Sequence, residues 1–348
     1  MATPVALPES PGPAPTAAAA AEYARSHTPR LRGLTWLVWR QNRTLFWIGL
    51  AAALAVAAYA AVRHQQAVAA IDRQQLDACR GKARTSQDCF KEILRFGAGH
   101  QRPMRFPLRV MAALPLVFGL FLGSPQLAQE LESGTYRTVC SQSVSRMRWV
   151  AGKLAVPLVL TVAISGTLAL AMTWWWHPVA DVMGGQFPWY GWYPFNGVGP
   201  VIVGQSVLMP LVGFTGGLLL RRTVAAMGTT LAVGALVPLG LDRIRRHLLL
   251  TVTVSAQHTT AIPGPADAWV VADGPLSPSG ARVSDMPSCY SARDYDGCMA
   301  EHGRSGHWAE VHPASHLWPL QWAETGLCLL LACALAVLCV SRVRRRLA

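Results

Sequence analysis

Charged residues are scarce in this sequence: Asp, Glu, Lys and Arg make up 14% of it, where a soluble domain carries about 25%. The scarcity is local, because long stretches carry no charge at all. Acidic groups are the rarer kind, 18 against 31 basic ones, for a formal charge of +13. In a soluble protein that excess would point to nucleic acid. Here no basic surface module remains once the apolar stretches are set aside, so nucleic-acid binding is excluded. A start with a basic segment and an apolar core, the mark of a secretory signal, is also lacking. The first apolar stretch is therefore expected to stay in the membrane.

Chemistry-bearing motifs are missing as well. A phosphate-cradling loop needs glycine, four residues, then Gly-Lys and a Ser or Thr. The nearest approach is Gly152-Lys153, followed by Leu154 and preceded at the required place by Met147. It cannot hold ATP, and no cofactor is expected to bind this chain. Nor is there a nucleophile with a base, or a carboxylate pair, fit for hydrolysis. Asp181 is the lone acid of its loop, and Asp294 and Asp296 sit in a polar segment. No catalytic residue is assigned.

What is present in quantity is hydrophobic, 52% of the residues. A bilayer span needs roughly 20 mostly apolar residues, and six stretches approach or meet this: Leu45–Val62, Val110–Ala128, Leu154–Trp176, Gly197–Leu220, Thr223–Leu241 and Leu317–Val340. The fold class that follows is an all-α integral membrane protein of six transmembrane helices, with minor β content in its external loops. Arginines before the first span, between the second and third, in the Arg221-Arg222 turn and after the sixth place both termini in the cytoplasm. The loop His177–Asn196 has no Lys or Arg but has Trp189, Tyr190, Trp192 and Tyr193, rings suited to a membrane boundary. The basic loop after the first span, and Arg243, Arg245 and Arg246 after the fifth, sit on the outer side in this topology. Long loops cross largely regardless of charge.

The organisation that results is an Ala- and Pro-rich cytoplasmic tail (1–29), an interfacial helix (30–44), a six-span domain (45–341) and a basic tail (342–348). In the interfacial segment Leu31, Leu34, Leu37 and Val38 share one face, reading as a helix that turns into the first span. External loops cover about 63–107, 177–196 and 243–316. In the first, Phe90, Ile93 and Leu94 mark a short amphipathic helix capped by Ser86. In the third, Leu249–Val254 and Trp269–Val271 read as strands.

Four cysteines, Cys79, Cys89, Cys289 and Cys298, fall in external loops, while Cys140 is cytoplasmic and Cys328, Cys333 and Cys339 lie in the last span. That partition supports two disulfides on the oxidising side. Sequence does not fix the pairing; local Cys79–Cys89 and Cys289–Cys298 bonds are the simplest. His302, His307, His312 and His316 match no compact zinc-ligand spacing, so no metal site is expected.

Ionisable residues inside spans mark ion or proton pathways. Five spans have none and the sixth has Glu324, near its outer end, where an interface position or an interhelical hydrogen bond accounts for it. Energy for transport has no source within the chain. A secondary transporter or channel relying on Glu324 is one alternative reading; a membrane-anchored sensor or assembly factor with ligand-binding outer loops is another. Small residues stand at GxxxG spacing, Gly119 with Gly123 and Gly213 with Gly217, where helices can approach closely.

The most informative stretch is GLFLGSPQLAQELESGTYRTVCSQSVSRMRWVAGKLAVPL, Gly119 to Leu158. Gly123 and Pro125 loosen the helix as it leaves the membrane, and Glu130 and Glu132 sit at the cytoplasmic mouth. Gly134 is a natural helix stop. Thr135 caps a short helix over Tyr136–Ser141, and Ser143 or Ser145 caps the next. Arg146, Arg148 and Lys153 then lead into apolar residues. The segment resembles the permease subunits of ABC-2 type ABC transporters, especially a branch common in high-GC bacteria. Their acidic pair, Gly-Thr, Ser-Val-Ser-Arg-like turn and Gly-Lys-Leu correspond to Glu130 and Glu132, Gly134-Thr135, Ser143–Arg146 and Gly152–Leu154. Gly33–Arg43 (GLTWLVWRQNR) and Trp318–Gly326 (WPLQWAETG) resemble the same branch.

The resemblance implies a permease in the bacterial cell membrane. It would pair as a homo- or heterodimer, bind cytoplasmic ATPase subunits that carry ATP and Mg, and move substrate outward. By the same resemblance the loop 129–153 is the element that docks on the ATPase, with Glu130, Glu132, Gly134, Thr135, Arg137, Ser145, Arg146, Arg148 and Lys153 as its residues.

Overall fold

The computed structural model of the chain describes residues 34–80, 86–134, 146–259, 261–283, 289 and 292–346. The expected tail at 1–29 and most of the loop after Gly134 lie outside them. Among the described residues, six helices are long and apolar enough to cross a membrane.

Helix α1 (Leu34–Gln74) is one unbroken helix of 41 residues, about 60 Å at 1.5 Å per residue and twice the apolar core of a bilayer. The turn expected between an interfacial helix and the first span is not there, since no Pro or Gly interrupts residues 34–48. Past the span, α1 continues to Gln75, whose φ of 51° ends it. The loop expected over 63–107 is thus mostly helix. After a 3-10 turn at Leu76–Cys79, α2 (Gln87–Phe118) starts at Ser86, whose side chain accepts from the Cys89 N–H. It runs straight into the second span, carrying Pro103, Pro107 and Pro115 inside it. Membrane helices tolerate proline where neighbours re-satisfy the freed carbonyls.

Below α2 the helix widens into a π-turn at Gly119–Gly123, the stretch that Gly123 and Pro125 loosen, and continues as α3 (Ser124–Glu132). Helix α4 (Arg146–Met183) follows, then the short α5 (Trp192–Gly197), α6 (Val201–Leu220) and α7 (Thr223–Arg245). Helix α9 (Leu317–Arg346) closes the bundle. Helix α6 is the axis: 72% of its apolar window is buried, against 11% for α1. Helices α2, α3, α4, α7 and α9 all pack on α6, while α1 leans on α4 from outside.

Between α7 and α9 lie β1 (Val252–Gln257), β2 (Trp269–Leu276), α8 (Tyr295–Glu301) and β3 (Gly306–His312). The strands form an antiparallel sheet in the order β1-β3-β2. Val254 pairs with Ala309 and Val270 with Val311, around a small core of Ala268, Ala309 and Val311. Strand β3 escaped the sequence reading because GHWAEVH carries two histidines and a glutamate. The aromatic loop before α5 seats this sheet. Trp189 donates to the Asp267 carbonyl at 2.9 Å, and Tyr190 stacks on Trp269 with centroids 5.6 Å apart. Two of the four rings expected at a membrane boundary are therefore engaged by the sheet, and Tyr193 remains exposed.

Candidate functional site

The inner end of the bundle gathers the described members of the segment that resembles a coupling loop. Helix α3 is too short to hold itself in place, so its position depends on what fastens it. Glu130 is fastened to α4: its Oε1 lies 2.6 Å from Lys153 Nζ, and its Oε2 accepts from Trp149 Nε1–H at 3.0 Å. Lys153 is buried, where an unpaired ammonium is costly. Glu132 is fastened to α7. Its Oε2 accepts from the Thr223 backbone N–H at 2.9 Å and from the Thr223 hydroxyl at 2.8 Å. A carboxylate there satisfies one of the orphan N–H groups at the start of α7 and meets the positive end of the helix dipole.

Beneath these polar clamps lies an apolar knot. Leu127 of α3, Trp149 and Val150 of α4, Phe214 of α6, and Cys339 and Val343 of α9 form one buried cluster. Displacing α3 therefore displaces the inner ends of α4, α6 and α9 together. Gly134 follows with φ of 72°, with nothing within 4 Å of where a Cβ would stand. Thr135, Arg137 and Ser145 lie outside the described residues. Arg146 and Arg148 fall in the first turn of α4, and their side chains are outside the description as well. Glu130, Glu132 and Lys153 are bound within the chain, at the two stems of the loop. Trp149 and Thr223 were not singled out from sequence. Trp149 stands four residues before Lys153 on α4, the spacing that puts both on one face, and that spacing was the available signal.

The two GxxxG motifs meet inside the chain. A Cβ on Gly119 would come within 2.9 Å of the Met209 carbonyl oxygen, and one on Gly123 within 2.7 Å of Pro210 Cα. From the other side, a Cβ on Gly213 would stand 2.7 Å from the Ser124 amide nitrogen, and one on Gly217 3.0 Å from the Ser124 carbonyl oxygen. Only hydrogen fits at such crossings, and the π-turn presses directly on α6. Ser124 fills the junction, donating to the Gly119 carbonyl at 3.2 Å and bonding Thr230 Oγ1 at 2.9 Å.

At the outer end the structure corrects the reading of the spans as nearly free of charge. Helix α7 continues through Arg245, which is wholly buried and paired with the equally buried Glu324 of α9. Gln205 donates to Glu324 Oε1 at 3.2 Å and to Asn196 Oδ1 at 3.0 Å, and the Arg245 guanidinium lies 3.6 Å over the Phe195 ring. Asp181 is likewise not alone: it lies on the helical extension of α4 and pairs with Arg80.

Cys79 is bonded to Cys89 and Cys289 to Cys298, at the end of the bundle opposite α3. His302 stands near the second pair. With both sulfurs bonded to each other, that trio offers a metal one free nitrogen, and holds no site.

The family model described as ABC-2 membrane transporter related matches residues 50–246. No curated protein matches the sequence, and no solved structure matches the fold.

Proposed function

This chain belongs to the ABC-2 membrane transporter related family, matched over more than half its length, and on that premise we propose that it works by borrowing a motor. It is a multi-pass membrane permease component of an ABC transporter. In the reading proposed here, a separate cytoplasmic ATPase docks on the loop that follows Gly134 and moves this chain's spans, carrying substrate outward across a bacterial cell membrane. Two permeases, alike or different, would pair over two ATPase subunits, which bind the ATP and Mg.

The observation that carries the reading is the double fastening of α3. Glu130 ties it to α4 and Glu132 ties it to α7, and the apolar cluster beneath adds α6 and α9. A push on the intervening loop is thus shared among the inner ends of four spans. Interfaces packed this closely shift as units instead of deforming gradually. The absence of a phosphate-binding motif in the sequence leaves the energy to a partner.

Isolation of the native complex in mild detergent tests this. The expected result is co-purification of a P-loop ATPase whose hydrolysis rate changes when this chain is present. Transport by the chain alone in ATPase-free liposomes would overturn it.

A further inference from the structure

The outward turns of α2 carry Arg102, Arg105 and Arg109, all exposed. Their spacing of three and four residues sets them along one side of the helix. Other arginines of this region have partners. Arg80 binds Asp77 and Asp181, Arg95 binds Glu92, and Arg63 donates to Gln66 and to the Gly99 carbonyl. Arg102, Arg105 and Arg109 make no ion pair or hydrogen bond with any described residue. Arg109 lies over the Tyr193 ring, 5.3 Å from its centroid. Arginine beside the bilayer on the outer side runs against the usual charge bias. Three on one face without an acid call for a counter-charge from elsewhere.

The same face turns apolar toward the membrane. Phe106, Val110, Ala113, Val117 and Phe121 continue the exposed stripe. Beside them opens a cleft of about 840 Å³ between α1, α2 and α4, walled by Ala52, Ala55, Tyr59, Phe106, Val110 and Leu114 among others. That volume lies within the range of small-molecule sites, roughly 300–1,000 Å³, but its walls offer almost no polar group. A free phosphate or a glycan has nothing to gain there. A second copy packed along this stripe would bring an unneutralised arginine face into the contact, which like-charge repulsion opposes.

We propose that this face holds one anionic phospholipid of the outer leaflet, its phosphate on Arg102, Arg105 and Arg109 and its acyl chains in the cleft below. Guanidinium groups match phosphate in planar, paired hydrogen bonds, and Tyr193 gives the headgroup level an aromatic edge. The outer placement rests on the permease topology; the binding itself does not.

The test uses the full chain purified in mild detergent, offered phosphatidylglycerol and phosphatidylcholine in equal amounts, with retained lipid weighed by native mass spectrometry. Each arginine near a bilayer surface strengthens anionic-lipid association about fivefold, so three give a preference of about a hundredfold. Replacing all three by alanine should bring the preference close to one, while thermal unfolding and both disulfides stay as in the wild type. Ala55→Trp, which fills the cleft and keeps the arginines, should lower retention of both lipids. Equal retention by the wild type, or a preference that survives the triple substitution, overturns the proposal. So does competition by soluble glycerol phosphate as strong as by phosphatidylglycerol, which would mark a simple anion site. Failure to find an ATPase partner would sink the permease reading and leave these measurements standing.

Discussion

Arg245 Nε lies 2.9 Å from Glu324 Oε2, and neither side chain has any exposed surface. Sequence alone made Glu324 the one candidate for a proton relay in the membrane, because its partner stood beyond the expected end of the fifth span. With α7 extended by a turn, the two charges meet, and Gln205 and Asn196 take up remaining hydrogen-bonding groups. The pair locks α7 to α9 at the outer end, as the glycine crossings lock α2 to α6 further in.

Removing one partner of such a pair should be worse than removing both. Glu324→Gln leaves the buried guanidinium only the partly exposed Asp242 carboxylate, 3.1 Å away, and the cost expected is about 3 kcal/mol, the lower end for a broken buried pair. Replacing both, Arg245→Met with Glu324→Leu, should recover most of it. Thermal unfolding in detergent gives the ranking. If the double variant unfolds as readily as Glu324→Gln, the two charges are not acting as a pair.

Glu130 and Lys153 call for the same comparison at the inner end, with a functional readout added. Glu130→Ala takes the carboxylate away from a buried ammonium and from Trp149, and is expected to cost about 3 kcal/mol. Stimulation of the partner ATPase should fall with it. Exchanging the charges, Glu130→Lys with Lys153→Glu, restores the contact and should restore a good part of the stimulation. If the exchange recovers stability but no stimulation at all, Glu130 itself touches the ATPase instead of holding the stem.

How far the sequence could be read differs by kind of feature. Span number followed from apolar runs such as Gly197–Leu220, because more than twenty uncharged residues admit few other structures. Span length did not: α1, α2 and α4 run well past the bilayer, and polar helix such as Gln65–Gln74 looks like loop when apolar runs are the signal. Glu130 and Glu132 were legible as residues at the inner mouth. Their partners, Lys153 and Thr223, lie 23 and 91 positions away in the chain, contacts that only the packing decides. The network at Arg245 was missed for the same reason, since its members come from α5, α6, α7 and α9.

Glycine substitutions offer a test of the π-turn crossing with its own control. At Gly123 a methyl group would meet the Pro210 backbone, with Cα at 2.7 Å. Backbone cannot rotate aside, so Gly123→Ala should cost about 1–3 kcal/mol through overpacking. At Gly166 on α4 a Cβ meets nothing within 4 Å. There the same change should be neutral, or stabilise by roughly 0.4–1 kcal/mol as a helical Gly→Ala replacement. Melting of the two variants in one detergent decides; equal shifts would mean that α2 and α6 are not pressed together as described.

The seat of the outer sheet should weaken in mild acid. His312 of β3 bonds the Arg246 carbonyl through Nε2 at 3.1 Å and His316 through Nδ1 at 3.0 Å, beside the Trp269 ring. Burial, with the neighbouring His316, lowers its pKa from 6.5, while the bond to Arg246 opposes the shift. A histidine held neutral in the folded state binds fewer protons than in the unfolded one. Stability is then lost as pH falls below about 6.5, toward the lowered folded value, and is kept above it. Protection factors across β3, with the base-catalysed intrinsic exchange rate divided out, should fall between pH 7 and about 5.5 in the wild type, and much less in His312→Gln. Protection in β3 that stays constant with pH in both proteins would mean that His312 titrates freely, and that this contact does not hold the sheet to the bundle.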